Sequence, residues 1–245
     1  MIYRISDGSY RKERFPFATK EVCLRNFLQV FRPTGEELFI IADNVGEATW
    51  RVVNELHPNV TRTSICHGAG SWRYGAFEVA LSQFEPEDLV YFVEDDYLHV
   101  EGSRDLLGEG VAVGDYVTLY DHPDKYLSAS DGGPNPLVEH GGEVTRLVRT
   151  RSVHWKVTNS TTMTFATTVA TLRADRDIWD KRTVTRHPYD FDAFLDLRKK
   201  GRLLVSPIPG FSTHCELAWA SPGVDWEAVA QAATASTPMT PSLGG

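Results

Sequence analysis

Residues 89–96 read LVYFVEDD, which is five apolar residues followed by the acids Glu94, Asp95 and Asp96. A continuous apolar run of this length is typical of a strand that is covered on both faces of a parallel sheet. Three consecutive carboxylates repel one another, so their clustering favours a divalent cation that offsets the charge, and Mg²⁺ or Mn²⁺ suits such oxygen ligands. The alternative is that the strand reaches solvent in an acidic turn.

The chain before this stretch alternates between two kinds of pattern. Apolar runs predict strands at residues 38–42 and 89–93, shorter β-prone segments predict strands at 2–6 and 61–66, and helical spacing predicts helices at 19–31, 45–56 and 71–84. This rhythm predicts an α/β fold with a doubly wound, mostly parallel sheet, in which ligands bind beyond the carboxyl ends of the strands. Asp7, Asp43 and His67 follow such ends, as do the acids at 94–96.

The second half of the chain has a different character. Residues 117–120 predict a strand, and 121–142 are rich in Gly, Pro, Asp and Ser, which is typical of a long functional loop. Residues 146–171 favour antiparallel strands or a hairpin around 158–160. A helix is predicted from Asp190 or Asp192 to residue 200, followed by Gly201 and a strand at 202–207. The tail from residue 231 is predicted to be disordered.

Composition narrows the class of protein. With 42% hydrophobic and 24% charged residues, the chain is typical of a globular protein, and its net charge of -8 opposes non-specific binding to nucleic acid. Three cysteines without CxxC spacing indicate neither a disulfide framework nor a zinc ribbon, so a reducing cytoplasm is expected. No apolar run is long enough to predict a transmembrane segment. The basic residues 11–14 (RKER) form either a solvated turn or a group near phosphates.

Residues 90–97, VYFVEDDY, resemble the DXD-type motif of GT-A glycosyltransferases. The resemblance implies that Asp96 binds the metal, Mn²⁺ or Mg²⁺, and that Glu94 contacts the donor or a metal-bound water. Asp95 is grouped with the donor site. Glu94 occupies the position at which the family usually has Asp. The resemblance therefore assigns a role to Glu94 less definitely than to Asp96.

Two further segments resemble the donor half of that family. Residues 40–44 look like its second strand, which implies that Asp43 reads the nucleotide base. Residues 68–73 look like the turn before the helix behind the donor site, which makes Arg73 a candidate phosphate partner. From the residues alone, Asp43 is equally a turn former and Arg73 equally a surface residue. Asp7, at the end of the first strand, completes the expected donor-binding set.

Residues 189–198, YDFDAFLDLR, are similar to the family segment in which an acidic pair opens a helix. In inverting members the second acid of that pair takes the proton of the acceptor hydroxyl, which implies Asp192 as the base and Asp190 as the second candidate. Phe191 replaces the usual Glu. His214, after the following strand, is implied as a further metal ligand, and a purely structural histidine is the alternative.

Together these patterns predict one GT-A-like domain at residues 1–230, with a nucleotide-binding half at 1–100 and an acceptor and catalytic half at 101–230. The predicted function is metal-dependent transfer of a sugar from a nucleoside diphosphate sugar, with a UDP-sugar favoured, to a hydroxyl, with inversion. One alternative is a nucleotidyltransferase of related fold, for which residues 7–12 are a poor version of the usual Gly-rich basic signature. The other is a non-catalytic binding module. No sequence pattern identifies the acceptor. Trp155 is a candidate either for stacking on a sugar ring of the acceptor or for burial in the protein core.

Overall fold

A computed structural model describes residues 1–8, 13–58, 61–68, 70–139, 142–184 and 188–235. The first half forms parallel strands in the order β3-β2-β1-β4. These strands are β1 (Ile2–Ser6), β2 (Phe39–Asp43), β3 (Thr61–Ile65) and β4 (Leu89–Glu94). The helices between them are α1 (Lys20–Phe31), α2 (Glu47–Leu56) and α3 (Glu78–Gln83), the last preceded by a π-helical segment, Trp72–Phe77. The predicted alternation of strands and helices is confirmed.

Helix α1 shows why the local predictions in this half succeed. Thr19 caps the helix, because its hydroxyl accepts a hydrogen bond from the Val22 N–H at 3.2 Å. Its apolar stripe buries Phe27 and Phe31 against Tyr3 of β1 and Tyr91 of β4. The stripe and the cap are both local signals, so the sequence alone contains them.

The second half extends the same sheet. Its elements are β5 (Tyr97–His99), α4 (Ser103–Val111), β6 (Tyr116–Val117), β7 (Leu147–Arg149), β8 (His154–Thr158), β9 (Phe165–Thr168), α5 (Val169–Ala174), α6 (Arg176–Arg182), α7 (Asp190–Lys199), β10 (Leu204–Ile208), β11 (Ser212–His214) and α8 (Trp226–Ala235). Among the described residues the large sheet has nine strands, which continue from β4 in the order β9-β6-β10-β8-β7. All the pairs in this part are antiparallel except β6 with β10. The predicted α/β class, with a parallel half and a mixed half, is confirmed.

Residues 146–171 form antiparallel strands as expected, but the alternative of a hairpin around residues 158–160 is wrong. Strands β8 and β9 are not neighbours, because β10 and β6 lie between them, and β8 instead pairs with β7 and β10. Residues rich in Thr and Val predict strands but not which strands pair. The connection between β8 and β9 therefore crosses the sheet, and Asn159, Ser160 and Thr161 are buried along it.

Two other expectations are corrected. Helix α8 includes residues 231–235, which were expected to be disordered, because Trp226, Ala230 and Ala233 form a stripe that packs with Val22 and the rest of a small core beside α1. Residues 236–245 lie outside the described residues. Trp155 is fully buried in the main core, so it does not line an acceptor site.

A second, two-stranded sheet brings the end of the chain back to the acidic stretch. Strands β5 and β11 are antiparallel, with His214 opposite Tyr97 in the register. Because Tyr97 directly follows Asp96, this pairing carries His214 to the end of β4. Across the described ranges, no helix is both long and apolar enough to cross a membrane.

Candidate active site

The acids at the end of β4 are buried. Asp95 and Asp96 are only 2% and 4% exposed, and Glu94 lies at the edge with its side chain partly accessible. An acidic turn in solvent would expose these side chains, so that alternative does not describe this stretch. Burial and the neighbouring charge of Asp96 raise the pKa of Asp95, an effect that Lys20 partly opposes.

Cationic side chains from the first twenty residues surround the cluster. Arg14 Nη2 is 2.8 Å from Asp96 Oδ2, and Lys20 Nζ is 3.7 Å from Asp95 Oδ2. Arg4 Nη1 is 3.7 Å from Glu94 Oε1. The buried carboxylates are thus each paired with a positive charge, as buried charges require. Of the basic residues 11–14, Arg14 lies near the cluster, while Arg11 and Lys12 are outside the described residues.

His214 meets Asp96 across 118 residues of sequence. Its Nε2 is 3.1 Å from Asp96 Oδ2, and its Nδ1 is 3.5 Å from Glu216 Oε2. The imidazole is almost completely buried. The pairing of β5 with β11 fixes this contact, so the expected convergence of His214 and Asp96 is present in the fold.

A carboxylate and an imidazole are chemically suited to Mn²⁺ or Mg²⁺, which commonly take few protein ligands and fill the remaining positions with phosphate oxygens and water. Asp96 and His214 fit that role. Within the described residues, no group of three His, Cys, Asp or Glu side chains forms a ready metal site. The guanidinium of Arg14 lies at the same Asp96 oxygen, so an ion bound there would compete with it.

Asp7 and Asp43 organise the neighbouring strand ends. Asp7 accepts hydrogen bonds from the Gly46 N–H at 2.7 Å and the Thr49 hydroxyl at 2.8 Å, and it pairs with Lys20. Asp43 is fully buried, is 3.0 Å from Arg4 Nη2, and accepts from the backbone N–H groups of residues 67 and 68. Asp43 therefore holds the loop after β3 against the end of β2.

Arg73 belongs to another part of the surface. Its Nε is 3.3 Å from Asp180 Oδ1 on α6, and its guanidinium lies over the Tyr74 ring. The expected phosphate partner is thus engaged with α6, and the cations that the described residues place beside the acids are Arg4, Arg14 and Lys20. Arg4 and Lys20 could not be predicted as site residues, because no local sequence signal distinguishes a basic residue that lies against a distant strand end.

Helix α7 begins beside a cavity of ≈ 190 Å³. The cavity is lined by His122, Asp124, Pro134, Asn135, Ser160, Thr161, Thr162, Asp190 and Phe191. Asp190 is partly buried, its Oδ2 accepts a hydrogen bond from the Met163 N–H at 3.1 Å, and burial raises its pKa. The side chain of Asp192 is 45% exposed and lies 3.8 Å from Arg182 Nη1. Of the two candidate bases, the one in the cavity is Asp190.

Residues 161–164 connect the cavity to the acidic cluster. The Tyr97 hydroxyl donates to the Thr161 carbonyl at 2.8 Å, and the Glu94 N–H donates to the Thr164 hydroxyl at 3.2 Å. Thr162 and Met163 have positive φ angles of 45° and 56°, a conformation that costs about 1–3 kcal/mol for a non-glycine residue. Such strain persists only where surrounding contacts enforce it, and here they join the two parts of the site.

A buried polar network lies beneath the cavity. Asp124 accepts hydrogen bonds from Ser160 Oγ at 2.6 Å and from Asn135 Nδ2 at 3.0 Å. Lys125 is also buried, which lowers its pKa, and it contacts Asn159 and Glu143. The sequence identified this segment only as a long loop and gave no role to His122, because no periodic pattern shows which loop residues will turn inward.

No protein-family model matches the chain, and no curated protein sequence matches it. Solved structures with a similar fold include the galactosyltransferase LgtC in complex with donor and acceptor sugar analogues, at 10% identity and a TM-score of 0.46 over 80% of this chain and 70% of that one. An inositol-1-phosphate CTP transferase from T. maritima has 8% identity and a TM-score of 0.48, over 96% and 97% of the two chains. Residues 1–349 of S. aureus TarS have 16% identity and a TM-score of 0.43, over 84% and 57%. These scores are below 0.5, so the likenesses carry no argument about activity.

Proposed function

We propose that the chain is a metal-dependent glycosyltransferase that takes a nucleoside diphosphate sugar, with a UDP-sugar favoured, and passes the sugar to an acceptor hydroxyl with inversion. The observation that carries the proposal is the contact of Asp96 with His214 at the end of a buried strand, beside cationic groups and next to a cavity that contains Asp190. Each of these features has a separate part in such a reaction.

The first part is the binding of the diphosphate. Asp96 and His214 would hold Mn²⁺ or Mg²⁺, which when bound neutralises charge on the leaving diphosphate. Arg14 lies beside Asp96, and Lys20 lies beside Asp95. Charge-assisted hydrogen bonds from arginine and lysine side chains bind phosphate oxygens strongly. Burial of the acids beneath them keeps this end of the sheet at a low dielectric, which strengthens each of these interactions.

The second part is removal of the acceptor proton. Asp190 is the general base in this proposal, because it lines the cavity and its raised pKa makes its carboxylate a stronger proton acceptor than an ordinary Asp. The Met163 N–H donates to Oδ2 and so fixes the orientation of this carboxyl group. Asp192, which the family resemblance favoured, has its side chain towards Arg182 and is not assigned this step.

A nucleotidyltransferase is the second candidate, and one observation favours it. Arg14 and Lys20 both come from the segment after β1, where such enzymes carry a basic signature, and both lie at the acidic cluster. This placement suits a nucleoside triphosphate as well as a diphosphate. In that reaction the attack would occur at the α-phosphate and pyrophosphate would be released.

One set of incubations separates the two functions. Purified protein with Mn²⁺ is mixed either with a panel of nucleoside diphosphate sugars or with nucleoside triphosphates and sugar 1-phosphates, and released nucleoside diphosphate and pyrophosphate are measured. We expect release of nucleoside diphosphate from the first set and none in excess EDTA. Pyrophosphate from the second set alone would establish the second candidate. The absence of both products together with the absence of nucleotide binding would overturn both.

A further inference from the structure

Trp219 differs from the other tryptophans of the chain in its packing. Of the six, all of which lie in the described ranges, Trp219 alone packs in no hydrophobic core. The other five belong to a core or pack against one, namely Trp50, Trp72, Trp155, Trp179 and Trp226. Trp219 stays partly exposed, and within the described residues its indole N–H makes no hydrogen bond. A large ring with a polar edge that remains partly open is typical of a binding surface.

The backbone around Trp219 is nevertheless held in place. The Trp219 N–H donates to the Glu216 carbonyl at 3.0 Å, and the Leu217 N–H donates to the Glu13 carbonyl at 2.9 Å. The Tyr120 hydroxyl donates to the Trp219 carbonyl. The indole therefore extends from a fixed backbone, so a ligand that stacks on it would bind with little further loss of conformational entropy.

Contacts between rings connect Trp219 to both parts of the candidate active site. Its ring centroid is 5.7 Å from that of His122, which lines the cavity that contains Asp190. The Tyr120 ring lies 4.9 Å from His122 and 6.4 Å from His214, the candidate metal ligand. Trp219 thus extends the wall of the cavity by one aromatic ring.

The accessible groups of this cavity have mixed polarity. Thr162 and Asp190 supply polar groups, Pro134 and Phe191 supply apolar ones, and all four are at least partly exposed. A pyranose ring has the same two properties, because its hydroxyls lie around its edge while its C–H groups form apolar faces that stack on an indole. The volume of ≈ 190 Å³ is below the about 300–1,000 Å³ of pockets for drug-sized ligands, so it suits one ring.

A nucleotide base would also stack on an indole, but the sheet order separates the two places. Asp7 and Asp43, from the expected donor-binding set, lie at the ends of β1 and β2. Tyr120 and His122 follow β6, and both β4 and β9 lie between β1 and β6. Trp219 is therefore on the side of the molecule that the proposed function leaves for the acceptor.

We propose that the acceptor is a carbohydrate and that one of its pyranose rings stacks on Trp219 at the edge of the cavity. The inference rests on the proposed function, since it names the class of molecule that supplies the reacting hydroxyl to Asp190. Trp219 is then a specificity residue, because it favours acceptors that present an apolar ring face.

The direct test follows the indole N–H resonances of protein with ¹⁵N-labelled tryptophan. The Trp219 resonance is assigned by its absence from Trp219→Phe. The α and β methyl glycosides of glucose, galactose, mannose and N-acetylglucosamine are titrated, each with and without UDP and Mg²⁺. We expect at least one glycoside to shift the Trp219 resonance and to leave that of Trp155, which is buried in the main core, unchanged. No shift of the Trp219 resonance by any glycoside, or a shift by UDP alone, would overturn the proposal.

Variants separate a binding role from a structural one. Saturation-transfer NMR should show that Trp219→Ala lowers the affinity for the bound glycoside by at least about tenfold and that Trp219→Phe retains part of it, because a phenyl ring still stacks. Leu217→Ala is the matched control, since Leu217 is an exposed apolar residue of the same turn. The melting temperature of both Trp219 variants should stay near that of the wild type. Unchanged affinity in Trp219→Ala, an equal loss in Leu217→Ala, or a large fall in melting temperature in both Trp219 variants would contradict the assignment.

A calorimetric titration of the same samples with UDP and Mn²⁺ keeps the two proposals distinguishable. Glycoside binding at Trp219 without nucleotide binding would remove the proposed transferase and leave the carbohydrate site. Nucleotide binding without a glycoside-dependent shift of the Trp219 resonance would remove this inference and leave the transferase.

Discussion

The two acidic regions of the molecule differ in what faces their carboxylates. At the end of β4, cationic side chains accompany the acids, with Arg14 at Asp96 and Lys20 at Asp95. In the cavity at α7, Asp124 lies 3.1 Å from His122 Nδ1 and 3.8 Å from Lys125 Nζ, whereas Asp190 accepts a hydrogen bond from the Met163 N–H and has no ion pair among the described residues. The first environment can accept an anion together with a metal ion, and in the second Asp190 is a carboxyl group that no described cation neutralises. The difference teaches that a count of acids does not identify a ligand, whereas the partners of those acids do.

The largest expected effect is at the cluster. Asp96→Asn should lower turnover by at least about 10³-fold and abolish metal-dependent nucleotide binding, because the site would lose a ligand for the cation that offsets the diphosphate charge. Turnover and calorimetric titration with UDP and Mn²⁺ measure the two effects. Asp105→Asn on the exposed face of α4 is the control. Metal-dependent UDP binding that persists in Asp96→Asn would contradict the role of Asp96.

The next effect distinguishes the two acids at the start of α7. Asp190→Asn should reduce turnover by about 10²–10⁴-fold with nucleotide affinity unchanged, since a general base acts only in the chemical step. Asp192→Asn should stay near wild type, because its side chain is half exposed beside Arg182. Steady-state kinetics of both variants provide the test. The reverse ranking would return the base to Asp192.

The pH dependence should follow from the environment of Asp190. Burial raises its pKa, so the carboxyl group stays protonated and inactive to a higher pH than an ordinary Asp, and turnover should rise as the pH increases through that raised value. A pH profile of kcat should therefore have its acid limb above about 4, the usual range of Asp. The limb should disappear from the residual activity of Asp190→Asn. A limb that persists in that variant would come from another group.

The smallest expected effect concerns competition at Asp96. Arg14→Ala should raise the affinity for Mn²⁺ alone by a few-fold, because a guanidinium that occupies Asp96 Oδ2 opposes a second cation there. Electron paramagnetic resonance of free Mn²⁺ gives this affinity without any turnover. Arg32→Ala, which removes an exposed arginine, is the control. Weaker Mn²⁺ binding in Arg14→Ala would show that Arg14 supports the ion instead of competing with it.

The sequence was most informative where the signals are local. The alternation of the first half, the cap at Thr19 and the apolar run of β4 each lie within a short window, and the fold contains them as predicted. The convergence of Asp96 and His214 was foreseen from a family resemblance, because no local signal links residues that far apart. Pairing failed at β8 and β9, since strand composition does not encode the partner.

The site was only partly predictable for the same reason. Arg4 reaches the acids through the pairing of β1 with β4, and Lys20 reaches them from the first residue of α1. His122 and Asp124 reach the cavity through a loop without periodicity. Asp190 lines the cavity and Asp192 lies beside Arg182, because the two side chains leave the first turn of α7 in different directions. Spacing along the sequence does not determine which of two acids, two residues apart, faces inward.

The most direct test of the central assignment is a calorimetric titration of the wild-type chain with UDP, with Mn²⁺ present and then with Mn²⁺ removed by EDTA. If Asp96 and His214 hold an ion that offsets the charge of the diphosphate, UDP should bind with Mn²⁺ and lose at least about tenfold in affinity without it, because the acids would then repel the phosphates. Equal affinity in both conditions would contradict the assignment of the end of β4 as a metal-dependent nucleotide site.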